Sequence, residues 1–278
     1  MRFFALAALL FFAFKSFGGG GWIRPSGKLF LKLGNSQTLG NTYFDQFGRK
    51  RTLQETYLSV TSLYGEMGLG HGFEAGFYFP FFTTLSYRNF DLPSGRRVFS
   101  ETFHGLGDTE LYMKYGKEIG GFHSSFSMVL GIPSGFNGKG ISKSLQSGDD
   151  EFNQALKLDV SRSLPTLKSF SSIFIAYNRR AVGFSDEIWF GFELGTEFME
   201  DFFFLIKSNN THYLESPNRD RPLTPNFTNF RAFNHLTTEA IIPLGKSFGL
   251  SISATFVLKA EKQLAAPSVG AGIFWNNW

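Results

Sequence analysis

The chain has 278 residues, of which 42% are hydrophobic and 18% aromatic, with a formal net charge of +4 and no cysteine. The absence of cysteine excludes a disulfide scaffold and a thiolate metal site. The small net charge, without any run of Lys or Arg, argues against a nucleic-acid partner. Beyond the N-terminus no long apolar run occurs, which excludes a bundle of membrane-spanning helices. No stretch rich in Pro or Ser divides the chain, so one main domain is predicted.

The first residues are typical of a secretory signal peptide. Arg2 precedes an apolar stretch of about a dozen residues, Phe3–Phe14, which is too short to span a bilayer. Small residues follow, and we expect cleavage near Phe17 or Gly18, which makes residues 1–17 the signal peptide. A retained membrane anchor is the alternative.

From residue 28 onward, apolar and polar side chains alternate in segments of about ten residues, the pattern of strands with two different faces. The clearest segment places Ile188, Phe190 and Phe192 on one face and Glu187 and Glu193 on the other. In one segment, 52–64, the two faces are similar in polarity and neither is assigned to lipid. The twelve predicted strands are 28–33, 52–64, 73–84, 106–115, 122–132, 151–163, 170–178, 187–198, 202–209, 233–242, 249–259 and 268–275.

The gaps between these segments alternate between short and long, and the long ones are 34–51, 86–104, 133–150 and 210–230. Tight periplasmic turns and longer outer loops are typical of transmembrane β-barrels, whose even strand number returns both chain ends to the periplasm. We therefore predict an all-β fold for residues 28–278: a transmembrane antiparallel β-barrel of about twelve strands in an up-and-down meander. Such a barrel is exported through the periplasm to the bacterial outer membrane.

Three glycine-rich motifs follow one another in the middle of the chain, at Gly105–Asp108, Gly131–Gly135 and Leu145–Phe152. Their order resembles the MetA-pathway-of-phenol-degradation family of outer-membrane proteins. The resemblance covers the fourth to sixth predicted strands. It implies a transporter-like barrel that passes small hydrophobic molecules.

Charged residues on the inward faces of the strands are the candidate lumen lining. They are Asp108, Glu110, Lys114, Lys157, Asp159, Glu187, Glu193 and Glu197. One interpretation is a charged lining that governs permeation, and the other is a network of ion pairs that fills a narrow barrel. The network is favoured, because acids and bases occur together on neighbouring strands and unpaired buried charges are unfavourable. The glycine-rich segment 18–27 does not alternate and is predicted to enter the lumen as a small plug.

The predicted function is passive passage of small hydrophobic or amphipathic molecules through a monomeric barrel. One alternative is a surface or structural barrel that transports nothing, and another is a lipid-modifying barrel enzyme. The enzyme alternative rests on His123 and Ser125, two residues apart on one strand, but no third group follows at a fitting spacing. We therefore predict no enzymatic activity. His104 lies near Asp108, but five scattered histidines do not form a metal site, so no metal or cofactor is expected.

The expected partners are outer-membrane lipid, lipopolysaccharide, a small-molecule solute and the barrel-assembly machinery. That machinery is expected to read a terminal aromatic residue, here Trp275 or Trp278. Lipopolysaccharide is anionic, and basic residues concentrate in the predicted outer loops. They are Arg49, Lys50, Arg51, Arg96, Arg97, Lys139, Lys143, Arg179, Arg180, Arg219 and Arg221.

Overall fold

The computed structural model describes residues 20–92, 94–181, 184–198, 202–215 and 232–277. The predicted signal peptide at 1–17, the first two residues of the predicted plug and Trp278 lie outside the described residues. So do Arg219, Arg221 and most of the predicted loop 210–230. Within them, fourteen β-strands form one antiparallel sheet. No helix in these ranges is long and apolar enough to cross a membrane, a finding that concerns helices and not strands.

The strands follow one another along the chain, and the connection between the seventh and eighth strands contains a single 3-10 turn at Pro165–Leu167. They are β1 (Leu29–Phe44), β2 (Lys50–Gly70), β3 (Phe73–Asp91), β4 (Arg97–Gly105), β5 (Thr109–Ile119), β6 (Phe122–Ile132), β7 (Asn153–Leu164), β8 (Ser169–Arg180), β9 (Glu187–Glu197), β10 (Phe203–Tyr213), β11 (Ala232–Pro243), β12 (Phe248–Glu261), β13 (Gln263–Leu264) and β14 (Ser268–Asn276).

The sheet closes on itself because β1 pairs with both β2 and β14, so that Phe30 lies between Glu66 and Asn276. β4 and β5 are successive parts of one wall strand, since both pair with β3. The two-residue β13 pairs with the far end of β1. The closed wall therefore has twelve strand positions, and the predicted all-β, twelve-stranded up-and-down barrel is confirmed.

The outer surface of the wall is apolar and its inner surface is polar. Leu158 on β7 is 48% exposed, whereas the adjacent Asp159 is 2% exposed. β2 shows the same division just beyond the segment 52–64, whose faces were not assigned, since Met67 is exposed and Glu66 is buried. An apolar outside is unfavourable in water and is what a barrel in lipid requires.

The short turns gather at the end of the barrel that carries both described chain ends, which we call the terminal rim. Gly120 and Gly121, between β5 and β6, have φ angles of 59° and 78°. Positive φ at both central residues defines the tight hairpin turn that glycine favours. The long connections lie at the opposite end, the loop rim.

Two of the predicted long loops are mostly strand. β1 continues to Phe44 and β2 begins at Lys50, so the predicted loop 34–51 is wrong apart from a short turn. In the same way, β3 continues to Asp91 and β4 begins at Arg97, so the predicted loop 86–104 is also mostly strand. A 21-residue strand is roughly 70 Å long at about 3.3 Å per residue, more than a bilayer needs. The part of this hairpin beyond the bilayer needs no apolar face, which is why alternation did not reveal it.

Candidate functional site: the barrel lumen

A cavity of about 400 Å³ lies inside the barrel, and four charged side chains from β1, β9, β10 and β11 line it. The ammonium Nζ of Lys32 lies 2.7 Å from Glu239 Oε1, and that of Lys207 lies 2.9 Å from Glu239 Oε2. Lys207 Nζ is also 3.6 Å from Glu193 Oε2. One carboxylate thus bridges two ammonium groups, and the set is electrically balanced.

Aromatic and apolar side chains form the rest of the cavity wall. Phe30 and Phe274 stack with their ring centroids 5.7 Å apart, and both are buried in a cluster with Leu205. Tyr78 on β3 also lines the cavity. β3 stands six positions from β10 around the twelve-position wall, so Tyr78 and the charged group on β10 face each other across the lumen. The cavity wall therefore combines ion pairs with rings, and Phe274 is the cross-strand partner of Lys32.

The described part of the predicted plug runs along the inner wall. The guanidinium of Arg24 donates to Glu66 Oε2 at 2.6 and 2.8 Å, and its backbone N–H donates to Glu74 at 2.8 Å. Lys114 Nζ lies 2.6 Å from Glu74 Oε1. All four side chains are buried. The segment is thus held by a buried network of two acids and two bases.

Tyrosine hydroxyls add to this network, and aromatic rings contact the same segment at Trp22. The hydroxyl of Tyr112 donates to Glu66 Oε1 at 2.8 Å, and that of Tyr64 donates to the same oxygen. Further along, the Trp22 ring lies against His123 and Phe170, with centroids 5.5 and 5.3 Å apart. These rings and the Arg24 network occupy lumen space next to the cavity.

The three motifs that carry the family resemblance meet at Asp108, near the loop rim. Asp108 Oδ1 accepts the N–H of Gly135 at 2.9 Å, and its Oδ2 accepts the N–H of Asp149 at 2.8 Å. The carboxylate of the first motif thus binds the backbone of the second and third. Burial, followed by the nearby charge of Asp149, raises the pKa of Asp108 to about 6 although these hydrogen bonds act to lower it.

A second buried ion-pair group continues from this point. The guanidinium of Arg180 donates to Asp149 Oδ2 at 2.6 Å and to Glu187 Oε1 at 2.9 Å. Trp189 Nε1–H donates to Glu187 Oε2 at 2.8 Å. Arg180 is 5% exposed, so the prediction that it is a loop residue facing outward is wrong. It instead ties the connection between β6 and β7 to the end of β8.

That connection, residues 133–150, packs against the inner side of β3 and β4. Leu145 is buried against Leu85 and Tyr87, and the N–H of Ile141 donates to Glu101 at 2.6 Å. The predicted long loop is thus present, and it folds against the wall instead of projecting away from it.

The remaining sequence candidates are distributed over the inner wall and one rim. Lys157 Nζ lies 2.9 Å from Asp159 Oδ1 and 4.5 Å from the centroid of the Phe174 ring. Glu110 lines a second, smaller cavity of about 40 Å³. Glu197 pairs with Lys168 at the terminal rim, 3.1 Å apart. The eight candidates therefore belong to several separate groups, and only Glu193 lines the larger cavity.

Sequence reasoning missed the charged residues that complete these groups. They are Arg24, Lys32, Glu66, Glu74, Asp149, Arg180, Lys207 and Glu239. Lys32 stands between two leucines of β1, so the alternation rule would have found it.

The residues considered for catalysis or metal binding are engaged elsewhere. Ser125 Oγ donates to the Gly20 carbonyl at 3.5 Å, and among the described residues no hydrogen bond joins it to His123. His104 Nδ1 lies 2.9 Å from Thr84 Oγ1, and the His104 ring stacks on Phe82. A search of the described ranges finds no group of three or more His, Cys, Asp or Glu that would hold a metal.

No family model matches the chain, and no curated protein matches its sequence. Solved structures do resemble it. An outer-membrane channel from Pseudomonas putida F1 has a TM-score of 0.66 at 12% identity, over 94% of this chain and 99% of that chain. The porin NanC has a TM-score of 0.55 at 9% identity, over 90% of this chain and 100% of that chain. The β domain of the Bordetella autotransporter BrkA has a TM-score of 0.50 at 13% identity, over 91% and 100% of the two chains. The fold is therefore that of outer-membrane β-barrels.

Proposed function

We propose that the protein is a passive channel of the bacterial outer membrane for small amphipathic molecules. The observation that carries the proposal is the cavity of about 400 Å³ inside a closed barrel with an apolar outer surface. Its wall combines rings with ion pairs, so the apolar part of an amphipathic solute can contact the rings and its polar part can contact the charged groups. The similarity to solved outer-membrane channels and porins supports the same function.

We also propose that the chain is related to the MetA-pathway-of-phenol-degradation family. The support is local: three motifs separated in sequence form one hydrogen-bonded group around Asp108.

Planar-bilayer recording tests the channel with a pair of matched variants. The refolded barrel is expected to give discrete current steps in KCl. Gly34 lines the cavity, and a Cβ on it would meet only the Ala271 carbonyl, at 3.6 Å. Gly34→Trp is expected to fill the cavity and lower the current, whereas Leu33→Trp, on the lipid side of the same strand, is expected to leave it unchanged.

A folded barrel without current in bilayers and without solute uptake into liposomes would overturn the channel. The result would then favour a surface barrel that transports nothing. No catalytic role is assigned to His123 or Ser125, because no hydrogen bond joins these two side chains among the described residues.

The proposed partners follow from the surfaces. The apolar outer wall fits membrane lipid, and Arg49 and Arg51 at the tip of the β1–β2 hairpin fit the phosphates of lipopolysaccharide. Both guanidinium groups share Asp45, at 3.0 and 3.2 Å, so the tip has one net positive charge among these three residues. A monomer assembled by the barrel-assembly machinery remains our prediction.

A further inference from the structure

The four charged side chains that line the cavity differ in exposure. The side chains of Lys32 and Lys207 are 29% and 26% exposed, whereas those of Glu193 and Glu239 are 18% and 9% exposed. The two lysine side chains are therefore more accessible to a solute in the cavity than the two glutamate side chains.

Both ammonium groups have hydrogen-bonding capacity left. Among the described residues, Lys32 Nζ has one partner, Glu239 Oε1 at 2.7 Å. Lys207 Nζ has one hydrogen bond, to Glu239 Oε2 at 2.9 Å, while Glu193 stands at 3.6 Å, beyond hydrogen-bond length. An ammonium group has three donors. Because Glu239 holds the two groups side by side, their free donors are available to one acceptor.

The acceptor that suits two neighbouring ammonium groups is a carboxylate, which has two oxygens and a full negative charge. Phe274 and Tyr78 line the same cavity and offer ring faces and edges to an apolar body. The volume of about 400 Å³ falls at the lower end of the range for small-molecule sites, about 300–1,000 Å³. These limits define a small molecule with one carboxylate and one ring.

We propose that the lumen cavity is a binding site for small ring-bearing monocarboxylates, with the carboxylate on Lys32 and Lys207 and the ring against Phe274 and Tyr78. This inference rests on the proposed function, because it names the class of solute that the channel would take. It adds a charge preference that a purely apolar passage would not have.

Calorimetric titration of the full barrel refolded in detergent tests the inference with three probes of one shape. They are 3-phenylpropionate, 3-phenylpropan-1-ol and 3-phenylpropylamine, each corrected for its titration into empty micelles. The carboxylate is expected to bind at least about tenfold more tightly than the alcohol, and the amine the least tightly. Equal binding of the carboxylate and the alcohol would overturn the site.

Substitution of one ammonium group localises the effect. Lys32→Met leaves Glu239 paired with Lys207 and is expected to weaken carboxylate binding by about tenfold while the alcohol changes less than about twofold. Lys32→Arg keeps the charge and is expected to keep the preference for the carboxylate over the alcohol. This variant is the control for a folding defect caused by a change at position 32. Lys168→Met removes a lysine at the terminal rim, 62% exposed, and is expected to change nothing.

The outcomes separate the two proposals. If Lys32→Met weakens all three probes equally, the carboxylate site is wrong even where current is recorded. If the carboxylate binds as described but the folded barrel gives no current, the site stands and the passage of solute fails.

Discussion

Gly148 is one residue whose identity is fixed by its surroundings. A Cβ at this position would lie 2.2 Å from Asp108 Oδ1 and 2.6 Å from its Cγ. The carboxylate cannot simply turn aside, because the N–H groups of Gly135 and Asp149 hold it. The close approach of the third motif to the first therefore requires glycine here.

Gly148→Ala is expected to push the Asp108 carboxylate off its donors and to lower the free energy of unfolding by about 1–3 kcal/mol. The measurement is the urea midpoint, followed by tryptophan fluorescence. Gly34→Ala is the matched control, since its Cβ would make only an ordinary contact at 3.6 Å, and no loss is expected. An unchanged midpoint for Gly148→Ala would show that the connection between β6 and β7 does not depend on this contact.

At the scale of the strand, the alternation of side chains sets which face meets lipid. Leu158 lies near the middle of β7 and is 48% exposed on the outer face, whereas Leu167 lies in the turn at the terminal rim and is 67% exposed. Both leucines are exposed, but Leu158 lies deeper in the membrane than Leu167.

Leu158→Arg is therefore expected to lower the free energy of unfolding by about 2–4 kcal/mol, and Leu167→Arg by at most about 1 kcal/mol. Refolding into lipid vesicles with a urea titration measures both. Equal effects of the two substitutions would mean that the middle of β7 does not face the bilayer core.

The same alternation explains which strands the sequence could predict and where it failed. Wherever a strand crosses lipid, its outer positions must be apolar, so all twelve crossings were found. The far half of β1 carries polar side chains on both faces, as at Ser36 and Gln37, and its pattern therefore predicts a loop. A strand that pairs outside the bilayer needs no apolar face, so a hydrophobicity pattern does not predict it.

At the scale of the whole molecule, the lumen is divided between the cavity and the N-terminal segment. Deletion of residues 18–27 is expected to raise the single-channel conductance roughly twofold or more, because side chains and inserted segments set the open width of a barrel of this size. A second variant replaces residues 18–27 by a Gly/Ser segment of equal length, which removes the Trp22 and Arg24 side chains but keeps the length of the chain. An unchanged conductance in the deletion would contradict the plug.

The candidate site could be predicted from the sequence only in part, for a reason that belongs to this scale. Alternation shows that a charge faces inward, as it did for Glu193 and Lys114. It does not show which charge lies opposite it. Lys32 and Glu239 are 207 residues apart in sequence, and β1 and β11 are brought near each other only when the barrel closes.

The junction of β1 with β14 also fixes the order of events in biosynthesis. Phe30 meets Asn276, so the first strand of the wall has no partner on one side until the last strand has joined the sheet. Until then both outermost strands carry unpaired N–H and C=O groups that other chains can bind. A chain of this protein must therefore be kept apart from its own copies until β1 and β14 have paired.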